Sequence, residues 1–265
     1  MSRETKAFLD PLVEQFEAES WIDDDPISIP HAFDDPRDQE TIGLFAALLA
    51  WGQRPVILSK LAELCERMGN RPFNFVRNFS ESRDAHKLVG FKHRTFNDGD
   101  AIILVRNLGR ALRTSGSIEA LFQVGGEDAD IGPGIESFAS AILDAHSDTP
   151  RRLGKHVARP STGSACKRLA MYVRWMVRSG PVDLGIWDSI RPDQLVAPLD
   201  VHSGRQARAL GLLTRKADDW RSALELTRAC RGMCATDPVR YDFALFGIGV
   251  HGIDIPPHLQ SSQIS

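Results

Sequence analysis

The sequence predicts an all-α protein of about ten helices. Apolar residues recur at helical spacing in one segment after another. Asp-Pro and Pro pairs stand where helices would begin, and glycines stand where they would end. No convincing run alternates apolar and polar residues as a half-buried strand would. With 265 residues, 42% of them hydrophobic, the chain can build a sizeable core, as one large domain or two smaller ones sharing a cleft. No apolar run reaches the ~18 residues of a membrane span. The opening MSRETKAFLDPLVEQFEAES is acidic and lacks the basic-then-apolar order of a secretory signal, so a cytoplasmic protein is expected.

The elements follow in order. Asp35-Pro36 supplies an N-cap and a first-turn proline ahead of ETIGLFAALLAW, which is apolar nearly all round and so predicted to be buried. Pro55 opens a helix that carries Ile57, Leu61, Leu64, Cys65 and Met68 and stops at Gly69. Ile102, Ile103, Val105, Leu108 and Leu112 mark the next, from Asp100 to Gly116. Ser117 can cap a short helix with Leu121 and Phe122, and Ile135, Phe138, Ile142 and Leu143 mark another. Cys166 to Val177 is two-faced, with Leu169, Tyr172, Val173, Met176 and Val177 on one side and Lys167, Met171, Arg174 and Arg178 on the other. Asp200 is a natural N-cap for VHSGRQARALGLL. A helix is expected from Asp218 to Arg231, and Asp237-Pro238 opens the last, through Tyr241, Phe243, Leu245 and Phe246. Residues 179–199, rich in Gly, Pro and Asp, look like an insertion or connector.

Charge is uneven. Residues 1–40 hold twelve acids and three bases, whereas 151–178 hold eight bases and no acid, in a chain of net charge −3. The basic stretch fits either a solvated helix face or a polyanion footprint. The cysteines, Cys65, Cys166, Cys230 and Cys234, have no spacing that makes a disulfide framework or a zinc site, and are expected to be buried thiols.

The residues with chemical promise lie in GSACKRLAMYVRWMV and APLDVHSGRQARALGLL. Gly163 permits a tight turn at a helix start, and Lys167 falls in the first helical turn. There the helix dipole and Arg168 both work against a protonated amine, and a neutral lysine is a nucleophile. Asp200, heading a facing helix, can hold that amine and stabilise developing positive charge. Taken singly, Lys167 reads as a surface lysine and Asp200 as a simple cap. The two roles of Asp200 are compatible, because a capping carboxylate keeps a second oxygen. Ser164-Ala165-Cys166-Lys167 and His202-Ser203-Gly204 also imitate motifs of penicillin-recognising enzymes, but the further motif and central sheet those enzymes need are missing.

This arrangement resembles the helix-hairpin-helix DNA glycosylase superfamily, whose pattern is a glycine-containing hairpin, a lysine opening the next helix and a later Pro-x-Asp. Gly163, Lys167 and Pro198-Leu199-Asp200 match it in turn. The spacing of 33 residues from Lys167 to Asp200 is nearest the archaeal 8-oxoguanine glycosylase branch. LLAWGQRPVILSKLAELCERMG looks like the superfamily's early helix, DNA-wedging loop and following helix, with Gln53 in the wedge. GFKHRTFNDGDAIILVRNLGRAL looks like a later helix pair with Lys92, His93 and Arg94 at its turn, and DPVRYDFALFGIG like the closing helix facing the active site. Together these cover roughly residues 35–250. The hairpin departs from the pattern: Ser161-Thr162-Gly163-Ser164-Ala165 keeps one glycine where the superfamily has two. The whole chain also resembles a bacterial family of unknown function.

The superfamily resemblance implies two helical subdomains with an active-site cleft between them. A barrel-like domain over 38–178 would end in the hairpin and lysine helix, and 1–37 with 179–265 would carry Asp200. It implies base excision with an associated lyase step on double-stranded DNA holding a damaged base, an oxidised purine such as 8-oxoguanine being the candidate. No iron–sulfur cluster, other cofactor or metal is expected, nor a membrane partner, and the protein is expected to be a monomer. Trp51, Gln53, Met171, Trp175 and Phe246 are the candidate base pocket, with Trp187 a further aromatic. Core packing is the simpler account of each aromatic taken alone. Lys92, Arg94, Gly163, His202 and Arg205 are candidate phosphate contacts, with Arg208 beside them. Two other readings stand: an N-glycosidase acting on RNA or a modified nucleotide, and a non-catalytic nucleic-acid-binding module.

Overall fold

A computed structural model describes residues 3–122, 125–126 and 130–261. Among these the chain is mainly helical, as the periodicity predicts, with twelve α-helices: α1 Arg3–Phe16, α2 Ser28–His31, α3 Pro36–Leu48, α4 Arg54–Arg67, α5 Pro72–Arg77, α6 Glu81–Asp84, α7 Asp98–Ser115, α8 Gly132–Leu143, α9 Lys167–Val177, α10 Val201–Ala209, α11 Trp220–Arg231 and α12 Tyr241–His251. One two-stranded hairpin, β1 Lys92–His93 and β2 Phe96–Asn97, pairs antiparallel with His93 opposite Phe96. No helix among the described residues is long and apolar enough to cross a membrane.

The chain divides into two compact units, 1–21 with 126–132 and 160–265, and 22–125 with 133–159. The expected boundary after residue 178 is therefore corrected: α9 falls in the same unit as Asp200, and residues 22–37 fall in the other. The reason is local. The carbonyl of Trp175 accepts from the amides of Leu184 and Gly185, and that of Met176 accepts from Trp187. Tyr172 meets the Trp187 ring edge-on at 5.4 Å.

In the second unit the punctuation acts as predicted. Asp35 accepts a hydrogen bond from the Arg37 amide, and α3 is buried on nearly every side from Glu40 to Leu48. Asn97 and Asp100 form a reciprocal capping box that starts α7 slightly before the expected Asp100. Ser117 accepts from the Ala120 amide, but the residues it caps, Glu119–Leu121, make a 3₁₀ turn. The helix α5, which sequence periodicity does not reveal, packs against α3 and α7.

The first unit is built around α12, which packs against α1 and α10. The acidic N-terminal segment, given no helix by the sequence reading, forms α1, with Thr5, Leu9, Val13 and Phe16 on its buried face. Phe16 packs against Gly247, where an added Cβ would collide with its ring. Residues 179–199 contain no α-helix, yet they are no loose connector: Val182, Trp187, Ile190, Leu195, Val196, Ala197 and Leu199 are all buried.

The supposed polar face of α9 is corrected too. Arg174 and Arg178 are only 7% and 4% exposed. Arg178 donates to Asp237 at 2.8 and 3.0 Å and to Asp183 at 2.5 Å, and it pairs with Glu17 at 2.9 Å. Arg174 reaches Asp183 at 3.3 Å and Asp242 at 2.5 Å. Burial alone would depress the Arg178 ionisation, but Asp237, Asp183 and Glu17 together more than offset it and hold the guanidinium charged.

Removing one partner of a buried charge network costs about 3–5 kcal/mol. Arg178→Ala is therefore expected to lower stability by that amount in urea unfolding, whereas the exposed Arg151→Ala stays within about 0.5 kcal/mol. Gly247→Ala must push Phe16 off the α12 backbone and is expected to cost about 1–3 kcal/mol in the same measurement.

Candidate active site

The site begins at the turn before α9. A short 3₁₀ turn, Pro160–Thr162, leads to Gly163 at φ +79°, and Ser164 makes an isolated antiparallel bridge with Asp219. The second left-handed position falls on Cys166, at φ +50°. The Cys166 amide donates to the Ser164 hydroxyl at 3.2 Å, which helps to fix the turn. A non-glycine residue held there costs on the order of 1–2 kcal/mol, a strain stored directly ahead of Lys167.

Asp200 heads α10 in extended backbone conformation. Its Oδ1 accepts from the His202 and Ser203 amides at 2.8 and 3.0 Å, and the Ser203 hydroxyl completes the box by accepting from the Asp200 amide at 3.0 Å. Its Oδ2 lies 3.8 Å from Lys167 Nζ. One carboxylate thus caps a helix with one oxygen and faces the amine with the other. Lys167 Nζ also lies 3.4 Å from Met171 Sδ, one helical turn along. The two charged side chains keep 31% and 32% of their exposure, so both remain within reach of a ligand.

A third carboxyl, Asp242 in the first turn of α12, has no counterpart among the residues singled out by sequence. Its Oδ2 accepts from Arg174 Nη1 at 2.5 Å. Burial pushes its pKa up to about 6; Arg174 and Lys167 pull it down, and the negative charges of Asp200 and Asp183 push it up again. The signal that could have found it is an acid inside an otherwise apolar helix, YDFALFGIG.

The remaining expected residues divide. Phe246, one turn beyond Asp242, is half-buried and meets the Trp21 ring edge-on at 5.8 Å. His202 and Arg205 are exposed on α10, and Gly163 is exposed on its turn. Arg208 is half-buried and bonded within its own unit to Asp218 and to the carbonyls of Arg215 and Ala217. Trp175 is corrected: at 1% exposure it is a core residue, and Trp187, at 4%, is another.

Trp51, Gln53, Lys92 and Arg94 belong to the second unit. There Trp51 meets His93 edge-on at 4.7 Å and accepts a hydrogen bond at its carbonyl from His93 Nε2 at 3.0 Å. Arg94 lies over Gly52, whose φ of +114° and lack of side chain leave room for it. Gln53, Lys92 and Arg94 are exposed.

The basic stretch is less of a surface than its composition implies. Arg174 and Arg178 are spent on internal carboxylates, Arg152 pairs with Asp100 and Arg159 with Asp144. Cys65, Cys166 and Cys230 are buried free thiols as expected, and Cys234 is partly exposed. No cluster of three or more metal-ligating side chains occurs among the described residues.

No curated protein and no solved structure matches the sequence. One family model does, over residues 25–251, and the chain belongs to the family that it describes, a protein of unknown function (DUF2400).

Proposed function

We propose that the protein is a base-excision DNA glycosylase with an associated lyase activity, akin to the helix-hairpin-helix superfamily. The observation that carries this reading is the approach of Lys167 Nζ to Asp200 Oδ2 at 3.8 Å, with the other Asp200 oxygen fixed by the α10 cap. A primary amine beside an immobilised carboxylate suits attack on a sugar carbon that becomes cationic as its base departs.

The base is first rotated out of the duplex. Lys167, once it has passed a proton to solvent, bonds to C1′ through its nitrogen, and the C1′–N bond to the base breaks with its electron pair going to the base. Asp200 stabilises the positive charge on the sugar. After loss of a proton from the nitrogen and opening of the sugar ring, a Schiff base joins Lys167 to C1′. Loss of the C2′ proton expels the 3′ phosphate and nicks the strand.

A second reading, an N-glycosidase acting on RNA or a modified nucleotide, draws on two observations. The hairpin keeps one glycine of the usual pair, and Arg174 and Arg178 are withdrawn from the surface that a polyanion would meet. A non-catalytic nucleic-acid-binding module gains no support from a lysine and an aspartate left part-exposed at this distance.

Borohydride trapping on a panel of duplexes, each with one lesion and 8-oxoguanine among them, tests the leading reading. Wild type is expected to give a covalent adduct on at least one duplex and Lys167→Gln none. Asp200→Asn is expected to lower excision by about 100-fold with folding intact. No adduct from wild type, or the same adduct from Lys167→Gln, would sink the lysine mechanism.

A further inference from the structure

The ion network of the first unit has more carboxylates than cations. Arg174 and Arg178 are shared among Glu17, Asp183, Asp237 and Asp242, two positive groups against four negative ones. Lys167 and Asp200 add one of each sign. So uneven a partly buried cluster favours retention of a proton, because like charges in low dielectric repel. Asp183 is the deepest member and is fully committed, one oxygen to each arginine. Asp237 is bound by Arg178 through both oxygens. Asp242 is placed differently: its Oδ2 is anchored by Arg174, its Oδ1 has no hydrogen-bond partner among the described residues, and its side chain keeps 15% exposure.

Phe246 lies four residues beyond Asp242, hence on the same helical face, and is half-buried against Trp21. An acid and an aromatic edge are what a heteroaromatic ring with protonatable nitrogens would meet. The titratable and charged groups acting on Asp242 are Arg174 and Lys167 from α9, Asp183 from residues 179–199, Asp200 at the head of α10 and the buried Cys230 thiol of α11, while His202 lies by Gly249, two turns further along α12. On the α1 side Lys6 and Asp10 engage the Tyr241 hydroxyl, and Arg240 precedes the helix.

We propose that Asp242 is the acid that protonates the departing base, a role that rests on the glycosylase reading and adds a third catalytic group to it. As the C1′–N bond breaks and its electrons pass to the base, the Asp242 O–H bond breaks and its proton goes to a base nitrogen. Asp242 is left as a carboxylate paired with Arg174. The proton displaced from the Lys167 nitrogen, once it has bonded to C1′, restores the acid. Its raised pKa, about 6, keeps a protonated fraction available near neutral pH.

The test compares wild type, Asp242→Asn and Asp242→Glu on a duplex with one 8-oxoguanine and on the same duplex with a preformed abasic site. Single-turnover borohydride trapping is followed from pH 5 to 8, and thermal melting checks folding. A preformed abasic site has no base to protonate. Asp242→Asn is expected to slow adduct formation from the intact lesion by about 100-fold and from the abasic duplex by a much smaller factor. Wild-type excision is expected to fall as pH rises through about 6, where the acid form is lost, and Asp242→Asn to lack that limb. Asp242→Glu is expected to restore part of the rate. Equal losses on both duplexes, or intact-lesion rates within twofold of wild type, overturn the assignment of Asp242 alone. A wild type that forms no adduct with either duplex overturns it together with the glycosylase reading.

Discussion

Burial of two arginines, Arg174 on α9 and Arg178 at its C-terminal cap, is the constraint from which the first unit follows. A guanidinium cannot give up its charge in a protein, so it must be met by carboxylates wherever water is excluded. Arg178 draws Glu17 from the end of α1, Asp183 from the connector and Asp237 from the turn before α12, and Arg174 draws Asp242 from α12 itself. The end of α1, the segment just after α9 and residues 237–242 are thereby fixed to one helix. The rings of Tyr172 and Trp187 and the backbone bonds from 184–187 lock the same helix from another side. With α9 held in this way along its last two turns, its first turn has a defined position, and Lys167 stands in that turn.

The partner of Lys167 is positioned by a different device. Asp200 owes its orientation to an N-cap, in which backbone amides hold one oxygen and leave the other directed at the amine. Capping stabilises a helix by about 1 kcal/mol. Here it also removes the rotamer freedom that an exposed aspartate would otherwise have. The local requirement of a helix terminus and the requirement of a site for a fixed negative charge are met by one residue, so neither competes with the other.

Much of this was legible in the sequence because it is local. Asp35-Pro36 and the Asp200 cap mark helix starts through contacts spanning two or three residues, and the apolar stripes of α4, α7 and α9 need only a period. The pairing of Lys167 with Asp200 was expected only because two motifs were read together through a family resemblance. What escaped depends on partners distant in the chain. Arg174 and Arg178 have the spacing of a solvated face, and nothing within α9 reveals that Asp183, Asp237 and Asp242 will cover it. Residues 179–199 have no period, so composition suggested a connector, while tertiary contacts bury it. Trp175 shares a helix with Lys167 and Met171, but a position one residue beyond Arg174 turns it into the core.

The placement of Asp242 joins these strands. The same arginine that ties α12 to α9 anchors one oxygen of a carboxyl on which Lys167 and Asp200 both act, so the buried ion network and the Lys167–Asp200 pair are electrostatically joined. An ion network built only for stability would be expected to balance its charges, since each surplus carboxylate costs desolvation with no cation to offset it. This one does not balance: Asp242 keeps 15% exposure and feels both Lys167 and Asp200, whereas Asp183 holds both arginines in the buried middle. The left-handed Cys166 ahead of Lys167 is a second unfavourable feature in the same neighbourhood. Backbone strain directly before Lys167 and an uncompensated carboxyl under the influence of Lys167 and Asp200 are both costs to stability, and they fall on the same small set of residues.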